Sequence, residues 1–307
     1  MTIDTDEPES ATRGGESESA SRGGEAEMNQ RMISIIVVGA RGRMGTTLIH
    51  EVMDSDDLTL GACVDRSGGP GIGQDAGRLI GRPEIGVLVT DELKPRRGNV
   101  VVDFSLASAT DNNLRQCLEH GVPLVIGTTG LSEETENLLF EAAEQIPIVH
   151  AANFSVGVTL LQRLAAMAAR ALGNDWDTEI VEIHHRLKRD SPSGTALRLG
   201  AAIADATKRR FSEAVVTDRA SLNRARGPLE IGVYGMRGGD SVGEHTVMFC
   251  GDGERIELIH RARDRGIFAR GALRAARWVA SQPPGYYDMN DVLGLEGFDE
   301  VDEPDEG

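Results

Sequence analysis

The run Glu182-Ile-His-His-Arg-Leu-Lys-Arg-Asp-Ser-Pro-Ser-Gly-Thr195 places two histidines, a lysine and a Ser-Gly-Thr turn within fourteen positions, behind an apolar strand. These groups can donate protons, carry positive charge and offer backbone N–H donors. Such a set suits a small anionic substrate that must be protonated. Neighbours on a strand point to opposite faces, so His184 and His185 cannot readily clasp one metal together. Neither a cysteine nor a His-x-His or His-x-x-x-His spacing completes a zinc set, and no metal is expected. Adjacent histidines alone are more often packing residues than catalytic ones. Here Lys188 lies just past the strand end and can fold back toward either ring, which tips the reading to chemistry. Ser193-Gly194-Thr195 opens a helix, whose N–H groups suit a carboxylate.

A second motif supplies the other half of a reaction. Gly39-x-x-Gly42-x-x-Gly45 follows the apolar run Met32–Val38 and opens a helix. Glycines at such a turn let the backbone approach a pyrophosphate, and the helix start presents free N–H groups. The spacing departs from G-x-G-x-x-G, so plain turn chemistry is the competing account. Asp65, twenty residues past Gly45, ends the second strand, where an acid can accept hydrogen bonds from ribose hydroxyls. Arg66 follows it and could pair with a 2′-phosphate. The two together imply use of NADH or NADPH. Gly127-Thr-Thr-Gly130, Ala151-Ala-Asn-Phe-Ser155 and Asp103-Phe-Ser105 end further strands, at the sheet edge where ligands bind.

The elements that must position these groups are legible in the periodicity. Strands at Met32–Val38, Leu58–Val64, Val100–Phe104, Pro123–Ile126 and Ile148–Ala151 alternate with helices from Gly42 to Met53, at Ala107–His120 and at Ser132–Gln145. That rhythm predicts an α/β fold with a doubly wound parallel sheet. After residue 155 the rhythm stops. Helices at Val158–Leu172 and Thr195–Arg210 flank a strand at Thr178–His184, and strand-like runs follow at Leu229–Tyr234, His245–Cys250 and Arg255–Ile259. This predicts a second, α+β domain over 156–265. Phe268–Ala280 reads as the body of a C-terminal helix, 266–294, that returns to complete the first domain, 31–155.

Composition bounds the rest. The 307 residues carry a net charge of −17. Residues 1–30 contribute eight acids and two arginines, and residues 293–307 seven acids and no base. Both acidic tails, 1–30 and 295–307, are expected to be disordered, and they repel nucleic acid rather than bind it. Three lysines stand against 29 arginines, which fits a salt-adapted source and a G+C-rich genome equally well. No apolar run approaches the ~18 residues of a membrane span. No apolar leader is visible, so residence in the cytoplasm is the expectation. Cys63, Cys117 and Cys250 are expected as reduced thiols, Cys-x-x-Cys being absent.

These motifs together resemble the 4-hydroxy-tetrahydrodipicolinate reductase (dihydrodipicolinate reductase) family. The resemblance rests on Gly39–Gly45, Gly127–Gly130, Ala151–Ser155, Glu182-x-His-His-Arg-x-Lys-x-Asp-x-Pro-Ser-Gly-Thr-Ala196 and Val242-Gly-Glu-His-Thr246, and runs from about Ile33 to Leu293. It implies a homotetramer with an N-terminal Rossmann domain and a second domain whose sheet builds the tetramer. It implies that Gly39, Ala40, Arg41, Gly42, Arg43, Met44, Asp65, Gly127, Thr128, Thr129, Ala151, Ala152, Asn153 and Phe154 hold the dinucleotide, with Arg66 on an NADP phosphate. His184 and Lys188 would be the acid/base pair, and His185, Gly194 and Thr195 would bind a cyclic imine dicarboxylate. Asp65 stands where the family often has glutamate, which leaves coenzyme preference open. A related amine or amino-acid dehydrogenase on the same scaffold, or a non-catalytic NAD(P) sensor, are the competing readings. The complete His-His…Lys…Ser-Gly-Thr motif disfavours both.

Overall fold

The run Ile33-Ser-Ile-Ile-Val-Val38 is buried from Ile35 onward, which only a strand covered on both faces can accommodate. The structure, a computed structural model, describes residues 32–295, so the acidic tails apart from Leu295 lie outside the described residues. The first half runs β1 (Ile33–Val38), α1 (Arg43–Met53), β2 (Leu58–Val64), α2 (Ala76–Leu79), β3 (Val89–Thr90), β4 (Asn99–Asp103), α3 (Ala107–His120), β5 (Leu124–Ile126), α4 (Glu133–Ala143) and β6 (Pro147–His150). The second half runs α5 (Val156–Leu172), β7 (Asp177–His184), α6 (Gly194–Ala206), α7 (Phe211–Ala214), β8 (Val215–Val216), α8 (Arg219–Leu222), β9 (Ile231–Arg237), β10 (Gly243–Gly251) and β11 (Glu254–Ala262). The chain then returns through α9 (Gly266–Val279), β12 (Gly285–Tyr287) and α10 (Met289–Leu293).

The first sheet has the order β12-β6-β5-β4-β1-β2-β3 with every neighbouring pair parallel, the doubly wound Rossmann-type arrangement. Alternate residues of β1 serve different layers. Ile35 and Val37 pack with α1 and α9, while Ile36 and Val38 join the cluster holding Leu114 of α3 and Leu139 of α4. The strand order reverses between β1 and β4, and the crevice outside their carboxyl ends is where ligands bind in such sheets.

The second sheet, β11-β10-β7-β9-β8, is mixed: β10 runs antiparallel to β7 and β11, and β9 runs parallel to β7 and β8. Ile180, Val233, Val247 and Phe249 turn toward α5 and α6 and form a core with Leu161 and Leu199. Thr178, Ile180, Glu182 and His184 alternate as the buried residues of β7, so the strand carries an acid and a histidine on its core-facing side.

The expected C-terminal segment 266–294 is not one helix. The helix stops at Val279, and Pro283-Pro284, lacking N–H donors, cannot continue it. Gly285–Tyr287 instead adds a parallel strand beside β6. The short elements α2, α7, α8, β3 and β8 were not legible in the periodicity, being four residues or fewer.

Candidate active site

Glycine at 39 and 45 is a geometric requirement of the β1–α1 turn. Gly39 has φ +79°, and a Cβ at Gly45 would stand 2.1 Å from the Gly39 carbonyl oxygen. Helix α1 therefore starts hard against the end of β1. Its N-cap, Gly42, offers no side-chain acceptor, whereas serines 132, 155 and 193 cap α4, α5 and α6. The first-turn N–H groups of α1 are thus left for an anionic ligand. Gly39, Arg41 and Gly42 line a cavity of about 490 Å³ together with Asp65 and Arg66. The Asp65 carboxylate accepts from the Arg41 N–H at 2.8 Å and from the Arg66 N–H at 2.9 Å. Each oxygen keeps a lone-pair direction for a further donor.

Phe104 borders this cavity and a larger cleft of about 1190 Å³. The cleft gathers the ends of both sheets. Arg43, Met44, Gly127, Ala152, Asn153 and Phe154 line one side, and His184, His185, Lys188 and Thr195 line the other. The Asn153 amide spans the two sides: its Nδ2 donates to Thr195 Oγ1 at 3.2 Å, while its Oδ1 accepts from the Ser155 N–H at 2.8 Å. Five expected residues lie outside both cavity walls. Ala40 is fully buried with its N–H on the Val64 carbonyl, and Thr128 is buried with its hydroxyl 3.4 Å from the Ser105 carbonyl. Thr129 and Gly194 are exposed beside the cleft. Ala151 lines a small pocket with His150 and Arg198.

At the chemical end, Glu182 is 0% exposed and is the hub of the site. Its Oε2 accepts from His184 Nδ1, and the Arg237 guanidinium grips both carboxylate oxygens at 2.8 and 2.9 Å. The Ser193 N–H donates to Oε1 at 3.0 Å. That bond corrects the expectation that all three N–H groups of Ser193–Thr195 serve a ligand, since the first is already committed within the protein. Burial pushes the Glu182 carboxyl upward, but its bonds from His184 and Arg237 prevail and hold it down at about 2.

The ring of His245 stands edge-on to His184 at 5.4 Å. Its Nε2 lies 3.4 Å from Ser193 Oγ. Burial, with the neighbouring His184 charge second, pushes His245 down to about 4, so it is neutral near pH 7. Lys188, largely covered, pairs with Asp190 at 2.9 Å on the loop over the cleft. Among the described residues no group of three or more His, Cys, Asp or Glu side chains gathers as a metal site.

Sequence reasoning left Glu182, Arg237 and His245 without roles and gave none in the site to Arg265 or Phe268, which also border the cleft; Phe104, within Asp103-Phe-Ser105 at the expected ligand edge, borders it too. One signal was available. An acid two residues before a histidine, in phase with Thr178 and Ile180, must be buried and must find partners.

A Rossmann-type sheet whose carboxyl edge opens on a cleft lined by histidine and lysine defines the class, a two-sheet oxidoreductase. The chain belongs to the dihydrodipicolinate reductase family. The family pattern described as "Dihydrodipicolinate reductase, N-terminus" matches residues 33–154, and "Dihydrodipicolinate reductase, C-terminus" matches 157–293. The 4-hydroxy-tetrahydrodipicolinate reductase of Anaeromyxobacter dehalogenans (strain 2CP-1) is 48% identical over 268 residues, covering 87% of this chain and 99% of that protein. The enzyme of the same name from Halorhodospira halophila is 49% identical over 265 residues, covering 86% and 99%. Among solved structures, the dipicolinate-bound dihydrodipicolinate reductase from Paenisporosarcina sp. TG-14 shares the fold. Its TM-score is 0.67 at 24% identity, over 85% of this chain and 98% of that one.

Proposed function

We propose that the chain reduces 4-hydroxy-tetrahydrodipicolinate to tetrahydrodipicolinate with NADH or NADPH, a step of lysine and diaminopimelate biosynthesis. The observation that carries this reading is the single cleft joining Arg43, Met44, Gly127 and Asn153 to His184, His185, Lys188 and Thr195. The uncapped start of α1 and the glycine turn fit a pyrophosphate, and Asp65 and Arg66 fit the adenosine ribose with or without its 2′-phosphate. A bound nicotinamide would supply the hydride; the protein's own residues do the rest.

Lys188, His185, Thr195 and the remaining N–H groups at the start of α6 hold the substrate's two carboxylates. After water leaves the ring, negative charge grows on the enamine as it is reduced, and Lys188 or His184 meets it with a proton. Proton delivery of this kind contributes roughly 10²–10⁴-fold. Lys188 must first exchange Asp190 for the substrate, so that carboxylate keeps the ammonium paired until a dianion arrives. A reductase drawing on the cell's reduced nucleotide works in the cytoplasm, where that nucleotide is.

The homotetramer is proposed on the second sheet. Val181, Ile183, Tyr234, Met236, Met248 and Ile259 share, by register, the face turned away from α5 and α6. Met236 is 54% and Ile259 43% exposed. Several large apolar residues open on one sheet face are what a partner copy would cover.

A coupled assay tests the activity. Dihydrodipicolinate synthase product is mixed with the protein, and nicotinamide absorbance is followed with each coenzyme. Oxidation of at least one is expected, and no oxidation of either sinks the reading.

A further inference from the structure

We propose that Glu182 is a positioning residue that holds His184 in one tautomer and locks the three parts of the chemical end into one geometry. The proposal rests on the assignment of His184 to proton transfer. The carboxylate accepts from Nδ1 of His184, so Nδ1 carries a proton and Nε2 is the nitrogen left for exchange. Its other bonds reach the rest of the site. Ser193, the N-cap of α6, donates its N–H at 3.0 Å and so fixes the helix start beside Thr195. Arg237 spans both carboxylate oxygens and also donates to the carbonyl of Asp190, in the loop that carries Lys188. One buried side chain therefore holds the histidine, the helix start and the lysine loop at a common distance.

A purely structural account explains less. A buried carboxylate needs a cation, and Arg237 alone would satisfy it. It does not need a histidine whose other side faces the cleft, nor does the core-facing row of β7 require an acid there. Gly243 adds to the case, because a Cβ at that position would stand 2.8 Å from His184 Nε2. The second nitrogen is thus kept unobstructed on the side opposite Glu182. The groups facing His184 are Glu182 on its own strand, Arg237 on β9, His245 on β10 and Lys188 on the following loop.

The test is Glu182→Gln alone and in a His184→Gln background. Gln keeps the shape but must turn an NH₂ toward Arg237 or His184, and it removes the negative charge. With wild type active in the coupled assay, Glu182→Gln should lower kcat by about 10- to 100-fold, within the ceiling general acid–base catalysis sets. KM for the reduced nucleotide should stay unchanged. The histidine-governed limb of the kcat profile should move to lower pH, since the stabilising anion is gone. In the His184→Gln background the same change should cost little more. Full, independent losses in both backgrounds, or a loss confined to nucleotide KM, overturn the proposal. Should Glu182→Gln not fold, ¹⁵N spectra of the wild-type imidazoles decide. A protonated Nδ1 on His184 upholds it, and a bare Nδ1 sinks it. A wild type without turnover would instead indict the functional reading, so the two failures are separable.

Discussion

Lys188 and His245 are two cations-in-waiting that the protein treats in opposite ways. Lys188 stays paired with an acid at the cleft mouth and is free to change partners. Lys188→Ala should therefore lower kcat by about 10²-fold or more, with binding of reduced nucleotide unchanged by titration. A parallel loss of nucleotide affinity would place Lys188 on the wrong side of the cleft. His245 is buried neutral, held down at about 4 against an ordinary value of 6.5. The unfolded chain then binds the proton first as pH falls, so stability drops from about pH 6.5 toward pH 4. Glu182, held at about 2 against 4.5, adds a loss of the same sign at still lower pH. Denaturant unfolding across pH should show a steeper acid loss in wild type than in His245→Gln, by on the order of 2 kcal/mol. Identical slopes would mean that His245 is not the residue responsible.

At the scale of elements, the strand end β2 and its turn should set coenzyme choice. Asp65→Ala should hurt NADH more than NADPH, through lost ribose hydrogen bonds. Arg66→Ala should do the reverse, each by roughly tenfold in kcat/KM, the worth of one charge-assisted bond. Equal effects on both coenzymes from both variants would break the assignment. Much of this scaffold was legible beforehand, because helix and strand periods leave the apolar residues in phase. Leu58–Val64 and Ala107–His120 stand as read, and Ser132, the first residue of the expected helix Ser132–Gln145, caps α4 through the Thr135 N–H. What the periods do not carry is who faces whom. Arg237 meets Glu182 across 55 positions, through the pairing of β7 with β9, and nothing in local spacing announces that register. The strand Gly285–Tyr287 was missed for a related reason: three residues after a Pro-Pro break have no period to show. Its partner strand supplies the reason for its shape.

At the scale of the whole molecule, the open face of the second sheet should decide assembly. Met236→Lys combined with Ile259→Lys puts charge into the shared apolar face, where its desolvation cost is several kcal/mol per ion. Light scattering should then report a smaller species than wild type, with dinucleotide binding kept by the first sheet. An unchanged tetramer would show that the subunits meet elsewhere. A monomeric wild type would refute the assembly outright.

The return of α9 and β12 to the first sheet has a bearing on how the chain is made. Helix α9 covers the sheet layer holding Val100, Val102, Val125 and Val149, yet it follows residue 154 by more than a hundred positions. At a synthesis rate of about 5–20 residues per second, those strands leave the ribosome on the order of ten seconds before their cover exists. Through that interval the nascent chain presents one finished apolar layer, under α3 and α4, and one covered only in part, by α1. The second sheet must meanwhile fold against a partner that is still half built. Slowed elongation between residues 155 and 266 lengthens that exposure, so the expected outcome of slower translation there is a lower yield of folded protein.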